Sequence, residues 1–517
     1  MNTAEDVMGR IQLGQLIAGL VELPQPLPQE LMVQVSGVKM DSRKLQPGDL
    51  FIACFGRNHD AREFVGYALA AGASAVLVEA GGKWQGLQIH EGKPVIAVDN
   101  LAARISEIAG RYFGNPSASL KVIGITGTNG KTSCSQFIAQ ALEAVGIQSG
   151  VIGTLGYGQI GQLRETSLTT PDAVFTQRAL AELLRGGARA IAMEVSSVGL
   201  HQNRVKAVHF DTAVFTNLSR DHLDYHESME NYAENKRKLF TSPGLQAAII
   251  NLDDSYGLYM MDAVSRDVRI YTYSLNNHTA TVHAKSIELD RHGFRATVVT
   301  PHGEGEISCP LFGNFNISNV LAVIAALLSY HERMGNVNLK QLLTVVSSLK
   351  PINGRMEIVG SSDELTCLVD YAHTPDGLKS ALLAIRDHFD GEVWCVFGCG
   401  GNRDRGKRPM MGEIARAYAG KLVITDDNPR LESGEDIVSH ILSGIECATD
   451  VEVIRDRAEA IDHAVESAQT GDIVLIAGKG HENYQDVAGR KTVFSDASQV
   501  RLALQKRAQR KKSGNLQ

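Results

Sequence analysis

The apolar residues of this chain fall into short runs that each turn polar at one end. In the middle of the sequence the runs are KVIGIT, RAIAMEVSS, TAVFTNL and LQAAIINL, and segments with helical apolar spacing, such as SQFIAQALEAVGI, lie between them. Apolar runs of this length, rich in β-branched residues, are typical of strands buried on both faces of a parallel sheet. The pattern predicts an α/β fold with a mainly parallel central sheet.

Two turn signals divide the chain into three predicted domains. The first block contains the strand-like runs LFIACF, AVLVEA and PVIAVDN and ends at Asn115-Pro116-Ser117, and the central block ends where Pro351 and Gly354 punctuate the sequence. At roughly 100–200 residues per domain, a chain of 517 residues has room for three domains. We predict domains over residues 1–115, 116–349 and 350–517.

The last block repeats the pattern of the central one. ELTCLVDYAH, GEVWCVFGCGG, KLVITDDNPR and DIVLIAGKGHE each begin apolar and end polar. Ligands of open α/β sheets bind beyond the carboxyl ends of the strands. The polar ends of these four runs are therefore candidate site residues.

A glycine-rich turn joins KVIGIT to the helical run that follows it. The stretch GITGTNGKTS covers residues 124–133, and its two loop glycines are closer together than in the usual GxxxxGK[ST] phosphate loop. In a strand–turn–helix unit, backbone N–H groups can surround anionic oxygens, a lysine can neutralise the outer phosphates, and a threonine can offer its hydroxyl to Mg²⁺. The predicted nucleotide-binding residues are Gly127, Thr128, Asn129, Gly130, Lys131, Thr132 and Ser133. A glycine-rich turn that binds nothing is the alternative.

More polar side chains follow the neighbouring strands, and these are Glu194, Asn217, Asp221, His222, Asp224 and His226. A carboxylate and an imidazole beside a bound triphosphate could coordinate a hard divalent cation. Asp221 and Asp224 could instead cap the helix that follows them. Lys236 lies in the amphipathic run NYAENKRKLF and, taken alone, would be interpreted as a surface lysine.

Composition and charge narrow the class of protein. The formal net charge is −7, so no broad basic surface favours nucleic acid, and the basic segment 505–512 is interpreted as a frayed, solvated helix. Seven scattered cysteines without a CxxC pair fit a reduced compartment. No apolar run is long enough for a membrane span, and the N-terminus lacks a cationic signal-peptide start, so we expect a soluble cytoplasmic protein.

Nine motifs together resemble one family. GTNGKT, MEVSSVGL, NLSRDHLDYH, the NISN segment, GRME, DYAHTPD, FGCGGNRDRGKRP, TDDNPR and AGKGHE occur in the order and approximate spacing of the Mur ligases. These are ATP-dependent amide-forming enzymes of bacterial peptidoglycan precursor synthesis. Within the family, the chain is similar to members that add diaminopimelate to a UDP-muramoyl dipeptide. The resemblance covers nearly the whole chain and includes the close glycine spacing of the loop.

The resemblance implies a UDP-binding N-terminal domain, a central P-loop ATPase and a C-terminal Rossmann-like domain. It implies ATP as a substrate, two Mg²⁺ ions, and an acyl phosphate that the amine of the amino acid attacks. Lys131, Glu194, His222 and Lys236 would be catalytic, and the ions would be held by Thr132, Glu194, His222 and a carbamylated Lys236. A carbamate converts the lysine ammonium into an anion that can bind a cation. Asn316, Arg355 and His373 match positions near the nucleotide.

The remaining implied contacts belong to the other two substrates, UDP-N-acetylmuramoyl-L-Ala-D-Glu and meso-diaminopimelate. The nucleotide-sugar peptide would contact Met40, Asp41, Ser42, Arg57, Asn58, His59, Thr169, Thr170, Ser196, Gln202 and Arg204. Diaminopimelate would contact Arg403, Asp427, Asn428, Pro429, Arg430, Gly478 and Glu482. Arg430 suits bidentate pairing with the second carboxylate, which lysine lacks. We expect a monomer that binds no nucleic acid.

For two of the motifs a turn without a binding role stays open as an alternative, and so do two rival functions. KMDSR could be a surface turn, and DNPR could be an Asn-Pro turn after a strand. A folylpolyglutamate synthetase-like ligase shares a related ATPase core, and a non-enzymatic nucleotide-binding module would need only the P-loop domain. The full set of C-terminal motifs speaks against both.

Overall fold

The computed structural model describes residues 9–21, 28–56, 60–335, 337–362, 365–446 and 451–514. The predicted sugar-nucleotide contacts Arg57, Asn58 and His59 lie outside the described residues, as does Cys447. The other six cysteines are free thiols. No helix in the described part of the chain is long and apolar enough to cross a membrane.

The strands, in chain order, are β1 (Ile11–Gln12), β2 (Gln34–Val35), β3 (Gly37–Lys39), β4 (Asp49–Ala53), β5 (Ala75–Glu79), β6 (Leu87–His90), β7 (Lys93–Val98), β8 (Lys121–Thr126), β9 (Ser149–Gly153), β10 (Gly156–Gly158), β11 (Ala190–Glu194), β12 (Phe210–Phe215), β13 (Ala247–Asn251), β14 (Arg269–Ser274), β15 (Val282–Asp290), β16 (Gly293–Thr300), β17 (Gly303–Cys309), β18 (Glu357–Ser362), β19 (Leu365–Asp370), β20 (Val393–Phe397), β21 (Lys421–Ile424), β22 (Val451–Val453), β23 (Asp472–Ala477), β24 (Tyr484–Val487) and β25 (Arg490–Val493). Each strand predicted from an apolar run is present.

The α-helices are α1 (Leu13–Ile17), α2 (Val65–Ala70), α3 (Ile105–Tyr112), α4 (Lys131–Ala144), α5 (Ala173–Arg185), α6 (Ser197–His201), α7 (Leu223–His226), α8 (Met229–Arg237), α9 (Gly257–Met261), α10 (Asn314–Arg333), α11 (Leu339–Ser347), α12 (Pro375–His388), α13 (Lys407–Tyr418), α14 (Gly434–Leu442), α15 (Arg457–Ser467) and α16 (Asp496–Gly514). The chain forms two compact units. The first unit comprises residues 1–126, 146–213 and 235–246, and the second comprises 127–145, 214–234 and 247–517.

The first unit contains the small antiparallel pair β1-β2 and two larger sets of strands. One is a five-stranded sheet in the order β3-β4-β5-β7-β6, parallel except for β6. Side chains alternate between its faces, so Leu50 and Ile52 pack with α1 and α3 while Phe51 and Ala53 pack with α2. The other set has the order β10-β9-β11-β8-β12, in which β9, β11 and β8 run parallel. Glu194 ends β11 and is thereby placed at a carboxyl edge.

The second unit contains an extension that the sequence pattern did not predict. Strands β13 and β14 are parallel, but β15, β16 and β17 continue the order as antiparallel hairpins. Their runs alternate apolar and charged residues, as in VHAKSIELD, because only one face is covered. The prediction of a mainly parallel sheet is correct for the strands predicted from apolar runs, but it did not include β15, β16 and β17.

The same unit contains the Rossmann-like sheet, in the order β18-β19-β23-β20-β21-β22. All of its neighbours are parallel except the edge strand β18. Alternate residues of β20 face opposite layers: Cys395 and Phe397 pack with α12, α13 and α14, whereas Trp394 and Val396 pack with α15 and α16. Burial on both faces explains the continuous apolar runs of these strands.

The basic segment 505–512 belongs to α16, so the prediction of a helix is correct. The prediction that it is solvated is wrong for Arg507, which is buried and donates from Nη1 to the carbonyl oxygens of Val465 and Ala468 at the end of α15. Lys506 pairs with Asp462 of α15. Charged side chains of α16 therefore contact α15.

Candidate functional site

The phosphate loop follows β8 and begins helix α4 at Lys131. Gly127 has a φ of 153°, and a Cβ there would lie 1.8 Å from Thr216 Oγ1. Gly130 has a φ of 84°, and a Cβ there would lie 2.5 Å from Asn319 Oδ1 of α10. Both positions therefore require glycine, and the loop is held close to β12 and α10.

Hydrogen bonds to Asn217 fix the loop from the end of β12. Its backbone oxygen accepts from the Thr128 N–H at 2.8 Å, and its side-chain oxygen accepts from the Asn129 N–H at 2.9 Å. These two amides were predicted to surround phosphate; here they bond Asn217, and their contact with phosphate stays a prediction. Lys131 Nζ donates to the carbonyl oxygens of Gly127 and Thr128, both at 2.9 Å.

Arg355 contacts the same loop. Its Nη2 donates to Thr132 Oγ1 at 3.1 Å, and its guanidinium lies 4.3 Å from the centre of the Tyr371 ring. His373 and His481 flank that ring, with centroid distances of 4.6 and 5.2 Å. Burial and the charges of Arg355, Lys479 and His373 lower the pKa of His481 to about 3, so its imidazole is neutral. Arg355 thus contacts the phosphate loop, and His373 lies beside the Tyr371 ring that Arg355 covers; the contacts of both with a nucleotide stay predictions.

Asn316, predicted to contact adenine, is buried in the first turn of α10. Its Nδ2 donates to the Phe312 carbonyl oxygen at 2.9 Å, and its Oδ1 accepts from Asn319 at 3.3 Å. Asn319 is also the residue that approaches Gly130. Asn316 therefore supports the phosphate loop through Asn319.

Asp221 is surrounded by cationic side chains and does not cap α7. The helix begins after His222, whose φ is 54°, and no side chain caps it. Asp221 lies 3.3 Å from His222 Nε2 and 3.8 Å from both His373 Nε2 and Lys407 Nζ. Burial raises the pKa of Asp221, but the His373 hydrogen bond and the charges of His222 and Lys407 hold that pKa well below its usual range. Asp221 is ionised and orients both histidines.

Glu194 is buried at the end of β11 in the first unit. Its Oε1 accepts from the Thr154 N–H at 2.8 Å, and its Oε2 accepts from the Thr154 hydroxyl at 3.0 Å. That hydroxyl also lies 3.0 Å from the Thr169 hydroxyl. A Cβ at Gly153 would lie 2.2 Å from Glu194 Oε1, so glycine leaves room for the carboxylate. The carboxylate is held in one orientation.

Thr170 connects Glu194 to the predicted dipeptide-binding residues. Its hydroxyl donates to the Glu194 carbonyl oxygen at 3.0 Å and accepts from the Ser196 N–H at 2.9 Å. Its carbonyl oxygen accepts from Arg204 Nη1 at 2.7 Å, and Arg204 also donates to Gln202 Oε1. The structure thus brings these five residues together with Thr169 in one network.

Lys236 is not a surface lysine. It lies in α8 and is 1% exposed, whereas Lys238, two residues later, is exposed. Burial of a lysine ammonium is costly unless a partner compensates for it or its charge state changes. The burial of Lys236 contradicts its interpretation as a surface lysine.

Among the predicted uridine diphosphate residues, Met40 is exposed and Ser42 is half-buried. Asp41 caps a short 3₁₀ turn by accepting from the Arg43 N–H, and it pairs with the Arg43 guanidinium at 2.9 Å. Asp41 therefore stabilises a surface turn, and the predicted contacts of Met40, Asp41 and Ser42 with the nucleotide-sugar peptide stay predictions.

The DNPR segment follows β21 and is fixed by the β24–β25 hairpin. Arg430 has a φ of 56°, its N–H donates to the Asp486 carbonyl oxygen at 2.9 Å, and its own carbonyl oxygen accepts from Ala488. Its Nη1 donates to the Gly401 carbonyl oxygen at 2.8 Å. A Cβ at Gly400 would lie 2.8 Å from the same Nη1. Arg430 is therefore in a defined position against the GCGG turn.

The end of β23 lies beside the DNPR segment. A Cβ at Gly478 would lie 2.6 Å from Asp427 Oδ2. Asn428 Nδ2 donates to Glu482 Oε2 at 2.8 Å, and the buried Pro429 separates Asn428 from Arg430. Arg403 is exposed, and its only described side-chain hydrogen bond is a 3.4 Å contact to the adjacent Asn402 carbonyl oxygen. A Cβ at Gly400 would lie 3.9 Å from Arg403 Cγ and 2.8 Å from Arg430 Nη1, so Arg403 lies close to Arg430 without a described hydrogen bond to the DNPR segment.

The chain matches three family descriptions in order. Residues 34–113 match the Mur ligase family catalytic domain, residues 125–327 the Mur ligase middle domain, and residues 354–480 the Mur ligase glutamate ligase domain. It is 48% identical over 476 residues to the UDP-N-acetylmuramoyl-L-alanyl-D-glutamate–2,6-diaminopimelate ligase of Coxiella burnetii, covering 91% of this chain and 96% of that protein. The chain belongs to the Mur ligase family. The ligase of the same name from Pseudomonas aeruginosa is 47% identical over 485 residues, covering 94% and 98% of the two chains.

Solved structures agree with membership of the Mur ligase family. A structure of a UDP-N-acetylmuramoyl-L-alanyl-D-glutamate–2,6-diaminopimelate ligase is 36% identical, has a TM-score of 0.69 and covers 97% of this chain and all of its own. The folylpolyglutamate synthase of Mycobacterium tuberculosis, complexed with ADP and AMPPCP, is 17% identical with a TM-score of 0.61 over 73% of this chain. The second likeness shows a shared fold alone.

Several residues of this Mur ligase site were missed from the sequence. Thr154, Lys407 and Lys479 each bond to a predicted site residue through their side chains, and the Glu432 N–H donates to the Pro429 carbonyl oxygen at 3.1 Å. Thr154 could have been found as the first polar residue after SGVIG, and Lys479 lies inside the AGKGHE motif. Lys407 lies inside the FGCGGNRDRGKRP motif in the same way, whereas Glu432 carries no such signal, because Arg408, its ion-pair partner, is distant in sequence. In the described ranges, no three His, Cys, Asp or Glu side chains gather as a metal-binding group.

Proposed function

We propose that this chain is an ATP-dependent ligase that adds meso-2,6-diaminopimelate to the D-Glu carboxylate of UDP-N-acetylmuramoyl-L-Ala-D-Glu. The observation that carries the proposal is the 48% identity over 476 residues to a ligase of that name, since it spans 91% of the chain and 96% of that protein. The product would be a precursor of peptidoglycan.

The reaction joins a carboxylate to an amine at the expense of ATP. The γ-phosphoryl group passes to the D-Glu carboxylate oxygen and ADP leaves. The amino group of diaminopimelate then attacks the acyl carbon, a proton is lost from nitrogen, and phosphate departs as the amide forms. Because the carboxylate and the triphosphate repel each other, catalysis depends on positioning and charge neutralisation.

Different residues of the chain would neutralise the phosphate charge and position the substrates. Lys131, held over the loop by the Gly127 and Thr128 carbonyl oxygens, neutralises the phosphates, and Arg355 is bonded to the same loop through Thr132. The network around Thr170 and Arg204 orients the dipeptide. Asp221 keeps His222 and His373 oriented beside the nucleotide.

Magnesium is the ion that this donor set fits. Thr132 offers a hydroxyl and Glu194 a carboxylate, and both are hard oxygen ligands. The His222 imidazole can also coordinate such an ion. Glu194 is buried and pre-oriented by Thr154, which suits an ion ligand. Two bound Mg²⁺ ions would supply neutralisation of the phosphate charge, and a carbamate on the buried Lys236 would give an additional anionic ligand.

Arg430 would select the amino acid. Diaminopimelate carries a second carboxylate that a guanidinium can pair with, whereas lysine presents an ammonium there. A site with a fixed arginine rejects an analogue that leaves it unpaired. Cytoplasmic location, a monomeric state and domain boundaries near residues 115 and 349 belong to the same proposal.

Ligand stabilisation separates this function from the folate-ligase alternative. UDP-N-acetylmuramoyl-L-Ala-D-Glu with an ATP analogue should raise the Tm of the chain, and dihydrofolate or tetrahydrofolate should not. Stabilisation by a folate without stabilisation by the nucleotide-sugar peptide would contradict the proposal.

A further inference from the structure

Lys479 is a buried cation between two predicted amino-acid contacts. It follows β23 and is 0% exposed. Its Nζ donates to Asn428 Oδ1 at 3.0 Å and to Glu482 Oε2 at 2.9 Å. It also lies 5.4 Å from the centre of the Tyr484 ring. A lysine buried this completely has to be satisfied by partners, and both of its hydrogen-bond partners belong to the site.

The ammonium fixes which way the Asn428 amide points. Asn428 Oδ1 accepts from Lys479 and from the Asp486 N–H at 2.9 Å. A flipped amide would set its NH₂ group against these two donors, so Nδ2 is directed to Glu482 Oε2. Lys479 thus orders two polar groups, the Asn428 amide and the Glu482 carboxylate.

The same bonds determine which carboxylate oxygen of Glu482 can accept a hydrogen bond from a substrate. Both Lys479 and Asn428 donate to Oε2, and Oε1 has no hydrogen-bond partner among the described residues. An ammonium group of a substrate can therefore be accepted at Oε1 without displacing a protein contact.

Lys479 also supplies the local positive charge. Asp427 is buried nearby, and it faces Lys479, Arg457, Glu482 and Asp496. Arg457 is committed to Asp496, with contacts of 2.7 and 2.8 Å. Burial raises the pKa of Asp427, and Lys479 opposes that rise.

The other titratable side chains near the cluster change this balance little. Burial raises the pKa of the phenols Tyr371 and Tyr484, which keeps them neutral, and His481 is neutral as well. Arg430 lies on the Tyr484 side of the cluster. Lys479 is then the cation that balances Asp427 and Glu482.

We propose that Lys479 is a positioning residue for the amino-acid substrate: it holds Asn428 and Glu482 in the single arrangement that leaves Glu482 Oε1 to accept the substrate ammonium. This inference rests on the proposed function. Lys479 itself does not touch diaminopimelate, so its effect is confined to the binding of that substrate and to the pH at which binding fails.

The test compares Lys479→Met with Lys491→Met in the full chain. Lys491 is exposed and lies 4.0 Å from the centre of the same Tyr484 ring, so it controls for the loss of a lysine there. Steady-state phosphate release gives KM for diaminopimelate and for ATP, and kcat/KM for diaminopimelate is measured from pH 6 to 9.

For Lys479→Met we expect KM for diaminopimelate to rise by ~10-fold or more while KM for ATP changes by less than ~3-fold. Loss of the cation removes one of the charges that oppose the raised pKa of Asp427, so the acid limb of the pH profile should move upward by about 1 pH unit. Lys491→Met should match the wild type. A purely structural lysine would change both KM values together and leave the acid limb in place, and that result overturns the proposal.

Lys479→Arg keeps the inference testable if the Met variant does not fold. It retains the charge but cannot reproduce the geometry of the ammonium, so KM for diaminopimelate should rise while the acid limb stays in place. An unchanged KM would overturn the proposal. Wild-type protein without diaminopimelate-dependent phosphate release would instead remove the proposed function, whatever the variants do.

Discussion

The buried guanidinium of Arg408 donates to both carboxylate oxygens of Glu432, at 3.0 and 2.8 Å. Arg408 is 0% exposed, and Glu432 also accepts from the Asn402 N–H and pairs with Arg405. The pair joins the GGNRDRGKR turn to the end of the DNPR segment. Both loops that would recognise the amino acid therefore depend on one ion pair.

Replacement of Glu432 by glutamine should destabilise the chain. The variant leaves the Arg408 charge buried without its partner, and breaking such a pair costs about 3 kcal/mol or more. Urea unfolding at pH 7 measures the loss. Glu288→Gln is the control, because its pair with Arg295 is exposed, and its effect should stay within ~0.5 kcal/mol. Equal effects of the two variants would contradict the structural role of Glu432.

The stabilisation by Glu432 should also depend on pH. The Arg408 hydrogen bonds lower the pKa of Glu432 to about 2 in the folded chain, whereas an unfolded glutamate titrates near ~4.3. The folded pKa is the lower one, so the contribution is complete above the unfolded pKa and is lost as the pH falls towards 2. The difference in unfolding free energy between wild type and Glu432→Gln should therefore shrink between about pH 5 and pH 2. A constant difference across that range would refute the assignment.

Removal of the Thr154 hydroxyl should weaken catalysis without unfolding the chain. Thr154→Val keeps the N–H bond to Glu194 and deletes the hydroxyl bond, so the carboxylate loses half of its orientation. We expect kcat/KM to fall by ~10-fold and the Mg²⁺ requirement to increase. Thr166→Val is the matched control, because its hydroxyl bonds only the Gly153 carbonyl oxygen in the same segment. Similar kinetics in both variants would remove Thr154 from the site.

Lys236→Ala should reduce turnover by more than about 100-fold while the nucleotide-sugar peptide still raises the Tm. The reason is the loss of a buried side chain that, as a carbamate, would hold an ion. Lys238→Ala removes an exposed lysine from the same segment and should retain activity. Intact-mass measurement of the native protein should find one carbamate in the wild type and none in Lys236→Ala. Near-normal turnover of Lys236→Ala would exclude the residue.

Arg430→Lys should change the use of the amino acid selectively. A lysine ammonium cannot form the bidentate pair, so KM for diaminopimelate should rise by ~10-fold or more while KM for ATP stays within ~2-fold. Arg490→Lys alters an exposed arginine on the hairpin that packs against the DNPR segment and should leave both constants unchanged. A parallel rise of both KM values in Arg430→Lys would refute its role in specificity.

The sequence predicted most of the parallel strands because they are buried on both faces and read as continuous apolar runs. It did not predict β15, β16 and β17, whose residues alternate between a covered and a solvated face. It also could not tell that Asn217 occupies the Thr128 and Asn129 amides, since this contact depends on how two loops meet. The local sequence pattern predicts helices and strands, whereas the partner of each hydrogen-bond donor depends on how distant segments pack together.

Some site residues could likewise be predicted from motifs, whereas the burial of others could be seen only in the structure. Motif position pointed to Glu194, Thr170 and Arg204, and the structure joins them in one network. By contrast, Lys236 reads as a surface lysine within its helix, and only packing reveals its burial. The buried cations Arg408 and Lys479 were missed because a lysine or arginine near a turn usually indicates a solvated side chain.

The most direct test of the central claim is phosphate release from ATP with UDP-N-acetylmuramoyl-L-Ala-D-Glu present, comparing meso-diaminopimelate, L-lysine and no amino acid. The proposed function predicts release that depends on diaminopimelate, with an equal amount of the amide product formed. Release with lysine instead would contradict the role of Arg430, and no release with any of the three would contradict the ligase itself.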